Sequence, residues 1–141
     1  VKEGTGPITN PVDDTFYSYS QDWTAPGTQL GTSGYYCVYN GTENNTSLFN
    51  INPGKLYTVQ VFEYSSNGII WIKKYNISTS VNNPKSFTTL AAPTAQASHI
   101  SFSGLTSSQV TISWQNGNGA NRVVFVREGT GPDAAPENIV K

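Results

Sequence analysis

Residues 51–61 read Ile51-Asn52-Pro53-Gly54-Lys55-Leu56-Tyr57-Thr58-Val59-Gln60-Val61. Asn52-Pro53-Gly54 is turn chemistry: it stops one extended segment and opens the next. From Leu56 to Tyr64 the chain alternates with the period of a β-strand. That period puts Tyr57, Val59, Val61 and Glu63 on one face, and Leu56, Thr58, Gln60, Phe62 and Tyr64 on the other. A turn feeding a strand that opens on Tyr sets the reading of the chain as β.

The same signals mark strands on either side. Upstream, Gly34 to Tyr39 is a strand closed by Asn40-Gly41, and Thr46 to Ile51 is another. Downstream, Ser65-Ser66-Asn67-Gly68 turns the chain. Strands follow at Ile69 to Ile72 and Tyr75 to Ser78, and Lys85 to Leu90 closes the segment. Residues 91–98 carry no apolar period and read as a linker. Beyond it, His99 to Leu105, Gln109 to Trp114 and Arg122 to Glu128 read as a three-stranded meander, with Val110, Ile112 and Trp114 on one face. No segment shows a helical period.

Composition narrows the function classes. Only 12% of residues are charged and the net charge is −1. No basic patch is available for a phosphate backbone, so nucleic acid is excluded as a partner. The polar residues are Ser, Thr, Asn and Gly, which favour strands and turns over helices. No stretch approaches the roughly 18 apolar residues of a membrane span, so no membrane insertion is expected. Val1-Lys2-Glu3-Gly4 shows no leader-type apolar segment, so an export signal would lie outside this chain. Cys37 is the sole cysteine, which rules out an intrachain disulfide and fits a small buried hydrophobe.

An internal repeat is visible. Val1-Lys2-Glu3-Gly4-Thr5-Gly6-Pro7 recurs as Val126-Arg127-Glu128-Gly129-Thr130-Gly131-Pro132, an offset of 125 residues, with Pro11 matching Pro136. One domain would carry this strand-plus-turn once. Two copies at the two ends imply a window cut from a tandem array.

Chemical constellations are sparse. His99, the sole histidine, stands beside the linker, and no nucleophile triad can be built around it. No catalytic residue is assigned, no cofactor is expected, and the chain reads as non-enzymatic. Asp13 and Asp14 are adjacent oxygen donors that could meet calcium, but no spaced acidic series follows, and a solvated turn is the simpler reading. Gly4-Thr5-Gly6 lacks the following helix that a phosphate cradle needs. Asn40, Asn44, Asn45 and Asn76 stand in Asn-X-Ser/Thr sequons, which matter only in a host that glycosylates asparagine. Tyr17, Tyr19 and Trp23 lie in a long polar stretch. They are the ligand-binding candidates, through stacking on sugar rings, with core packing of Trp23 as the plainer alternative.

The segment Ile51 to Val61 resembles the E–F corner of fibronectin type III domains, where a Pro-Gly turn leads into a strand opening with Tyr. Gly27-Thr28-Gln29-Leu30-Gly31-Thr32-Ser33-Gly34, Val38-Tyr39-Asn40-Gly41-Thr42, Phe62-Glu63-Tyr64 and Lys74-Tyr75-Asn76 are similar to repeats in large secreted and surface proteins of the Bacteroidota. The resemblance implies an all-β, immunoglobulin-like sandwich. It implies structural roles for Pro53, Gly54 and Tyr57, whose hydroxyl would bond upstream backbone, and makes Trp114 the core tryptophan of strand B. It also implies an extracellular or cell-surface location.

The strand order departs from the family. Residues 1–90 resemble the end of strand C through C′, E, F and G of one repeat, and residues 99–141 resemble A, B and C of the next. At 141 residues the chain is too short for two sandwiches of about 100. Neither part can cover its inner face alone. The missing strands could come from the same chain, from another chain, or from covalent continuity in a longer polymer. Contribution between consecutive units is the favoured arrangement, and between chains it gives head-to-tail assembly. The expected function is a structural or adhesive module of a surface fibre or large secreted protein, with neighbouring copies as partners. A module that binds carbohydrate, such as surface glycans, or a protein ligand is the alternative.

Overall fold

The computed structural model describes residues 1–68 and 72–130. Among them the chain is all-β, with seven short strands, no helix and antiparallel pairing in every sheet. It divides into two compact units, Val1–Ala92 and Pro93–Lys141.

The first unit holds β1 (Lys2–Glu3), β2 (Leu56–Val59), β3 (Tyr64–Ser66), β4 (Lys73–Tyr75) and β5 (Lys85–Thr88). One sheet runs β1-β2-β5, and β3 pairs with β4 in a second. Glu3 lies opposite Tyr57 and Lys2 opposite Thr58, while Tyr57 faces Phe87 across β2–β5. Tyr57 is fully buried and Tyr35 nearly so. Trp23 meets the Tyr57 ring edge-on at 5.3 Å, and Phe87 stacks on it at 5.6 Å. An aromatic cluster thus makes the core, with offset and edge contacts that aromatic quadrupoles favour.

Beside β3–β4 the core is unusual. Lys73 is buried at 6% exposure, with its Nζ 3.9 Å from the Tyr64 ring centroid. A ring face supplies part of the stabilisation that water would give the ammonium. Asp13 and Asp14 cap this hairpin. Tyr75 N–H donates to Asp13 Oδ1 at 3.0 Å and Lys73 N–H to Asp14 Oδ1 at 3.3 Å.

The second unit holds β6 (Ser98–Ser103) and β7 (Thr111–Gln115), an antiparallel pair with Phe102 opposite Ile112. A register shift lies between Ser98 and Ser101, where His99 takes φ +53°. The Asn118 side chain receives the N–H groups of Thr94 and Ala95, which ties that part of the expected linker to this unit. None of its described residues is buried. Ile100, Ile112, Trp114, Val124 and Phe125 line an open concavity of about 830 Å³.

Several expected strands differ. Gly34 to Tyr39 and Thr46 to Ile51 form only isolated bridges, Gln29 with Tyr36 and Asp22 with Phe49. Asn50 has φ +57°, which breaks extension there. The long strand from Leu56 stops at Val59, because β5 begins only at Lys85. Beyond it the Asn83 side chain takes over, accepting from Val61 N–H at 3.0 Å and donating to Val61 C=O at 2.6 Å. The second strand of the hairpin is Lys73–Tyr75 instead of Tyr75 to Ser78, and Ser65-Ser66 belongs to β3 instead of a turn. Arg122 to Glu128 forms no strand. Trp114, expected as a core residue, is 37% exposed within this chain, and its Nε1 donates to Asn116. Residues 69–71 of the expected strand Ile69 to Ile72 lie outside the described residues. So do Gly131, Pro132 and Pro136 of the second repeat copy.

Candidate functional site

The most elaborated site of the first unit is the slot that holds its first four residues. Pro53 and Gly54 begin it. Gly54 has φ +68°, a conformation open to glycine, and its turn delivers the chain into β2. Tyr57 then points inward, and its hydroxyl accepts the N–H of Asn52 at 3.0 Å. The same hydroxyl lies 3.3 Å from Glu3 Oε2, to which it donates. Burial first, and then Glu3, push its pKa up.

Glu3 is tied further. Asn52 Nδ2 donates to Oε2 at 3.1 Å, and Lys55 Nζ stands 4.0 Å from Oε1. Lys2 Nζ donates to Ser33 C=O at 2.8 Å and lies over the Tyr35 ring at 5.7 Å. Gly4 N–H donates to Leu56 C=O at 2.7 Å, and Thr58 Oγ1 donates to Gly4 C=O at 2.7 Å.

The other edge of this strand is also occupied. Tyr36 N–H donates to Val1 C=O at 2.7 Å, and the Val1 α-amino group donates to Tyr36 C=O at 2.8 Å. This reciprocal exchange is one step of an antiparallel ladder. Residues 1–4 are therefore gripped from both sides. Burial lowers the pKa of the Val1 amino group to about 6.

The matching segment of the second unit stands differently. Val123, Phe125 and Val126 are 69%, 75% and 78% exposed. Gly129 nevertheless has φ +81°, close to the +85° of Gly4.

The three aromatic candidates do not converge. Trp23 is half-buried between Tyr36 and Tyr57. Tyr17 is half-buried, packs edge-on to Tyr75 and accepts Val12 N–H through its hydroxyl. Tyr19 remains exposed, tilted against Tyr39. The carboxylates of Asp13 and Asp14 take Lys74 Nζ at 3.3 and 2.9 Å. The backbone N–H of Tyr75, and then Lys74, lower the Asp13 pKa. Among the described residues no group of three or more His, Cys, Asp or Glu is placed to hold a metal ion. Cys37 is half-buried, its Sγ 3.4 Å from Tyr39 C=O, and burial raises its pKa away from thiolate reactivity. His99 Nδ1 pairs with the neighbouring Ser98 hydroxyl. Sequence reasoning missed Tyr36, Ser33 and Asn52 as partners of the slot. The repeated Glu was the available signal for it, since Glu3 and Glu128 share one motif.

Compared with protein-family models, curated proteins and solved structures, the chain matches none.

Proposed function

We propose that this chain is a non-catalytic structural and adhesive repeat module of an extracellular fibre or large surface protein. In this reading it is a fibronectin type III-like array cut out of register. The observation that carries the reading is the unequal fate of one repeated element. In the first unit Val1–Gly4 is bonded on both edges. In the second unit its counterpart belongs to no strand and exposes Val126. Two further features support it. The order β1-β2-β5 is the order of strands C, F and G in such sandwiches, and β6–β7 pairs as A does with B. The second unit buries no described residue, as expected of two strands awaiting a second sheet.

A tandem chain tests this. Residues 17–92 appended after Lys141 give the second unit the strands it lacks while keeping the 125-residue spacing. Amide exchange at Ile112, Trp114 and Val124 should slow by about two orders of magnitude or more. Trp114 fluorescence should shift to the blue. Unchanged exchange in residues 99–128 would sink the repeat reading.

A further inference from the structure

This inference rests on the repeat reading and deepens it. We propose that Val126–Gly129 of one copy of this chain enters the first unit of a second copy by strand exchange, replacing Val1–Gly4 of that copy.

The two segments are chemically equivalent. Across the first seven positions of the motif they differ only by Lys2 against Arg127. Every contact that fixes Val1–Gly4 uses backbone, a carboxylate at the third position or a cation at the second. Glu128 carries the carboxylate. The guanidinium of Arg127 can donate to Ser33 C=O and lie on the Tyr35 ring, where a planar cation stacks well. Gly129 already has the left-handed conformation that Gly4 adopts after β1. Within the slot, exchange therefore remakes the contacts that Val1–Gly4 gives up, as in domain swapping.

The incoming strand is continuous upstream of Val126 through residues 123–125. Cys37 uses its backbone groups on Thr28 and Ser20, on the far side from Val1. Alternation then turns Val38 toward the same edge as Tyr36, and Val124 falls opposite it in register. Val123 and Phe125, 69% and 75% exposed, would flank that added step. Each copy offers one slot and one strand, on different units. The contact is head-to-tail and propagates unless it closes into a ring.

Sedimentation velocity and disulfide trapping test this on the full chain. Association should rise with concentration. Val126→Pro, which removes the N–H aimed at Tyr36 C=O, should weaken it by about tenfold without changing the first unit's thermal transition. Two single-cysteine proteins in a Cys37→Ser background, Thr58→Cys and Arg127→Cys, should form a disulfide heterodimer on mixing, because position 127 takes the place of Lys2 opposite Thr58. If Thr58→Cys perturbs folding, Val126→Pro still decides. Association that is insensitive to Val126→Pro and gives no heterodimer overturns the exchange while leaving assembly through another surface. A chain that stays monomeric at its highest soluble concentration also overturns it. The repeat reading then stands or falls on the tandem chain alone.

Discussion

Tyr57 uses its hydroxyl twice, as acceptor for Asn52 N–H and as donor to Glu3. Tyr57→Phe keeps the ring stack but leaves a backbone N–H and a carboxylate short of a partner. It should destabilise the first unit by about 1–3 kcal/mol, read by denaturant unfolding. Val1 carries a second residue-scale prediction. Burial lowers its amino group from 8.0 to about 6, with Cys37 opposing. The neutral amine is the form that the slot prefers. The first unit of the 141-residue polypeptide is thus most stable above pH 8 and loses stability as pH falls from 8 toward 6. One residue added ahead of Val1 turns the amine into a peptide N–H and should flatten the melting temperature across that window. The hydroxyl bond of Tyr57 to upstream backbone was expected only through the resemblance of Ile51 to Val61 to an E–F corner, and Asn52 N–H supplies it. The role of Trp114 is not settled by its pattern: a sequence reports that a ring wants cover, and Trp114 is 37% exposed among described residues none of which is buried in this unit.

At the scale of elements, alternation located β2, β5, β6 and β7 well, because each has a partner strand whose register matches its pleat. It failed for Arg122 to Glu128, which has the same pattern and forms no strand. The pattern encodes a face, and pairing also needs an edge to pair with. The loop from Asp13 to Ile51 failed for the opposite reason. Its backbone bonds run instead through isolated bridges and through side chains such as Asn40, whose Nδ2 donates to Tyr17 C=O. Such side-chain-to-backbone bonds compete with ladders and leave no period to read. The slot was half legible. The repeated motif marked Glu3, while Ser33, Tyr36 and Asn52 reach it through tertiary folding.

At the scale of the molecule, the buried aromatic core lies within Val1–Ala92, and no described residue beyond Pro93 is buried. Truncation after Ala92 should therefore leave the main thermal transition within a few degrees of the intact chain's. A large fall, measured by calorimetry, would show that residues 93–141 stabilise the first unit. The two-sided grip on residues 1–4 has a mechanical consequence. Ladder bonds lie across a strand, so tension applied along β1 loads the bonds to Tyr36 and Leu56 together, in shear, instead of peeling them one by one. If consecutive units are joined through this strand, each junction resists pulling as a set of parallel bonds, and the segment that links the units is also the one best placed to bear force.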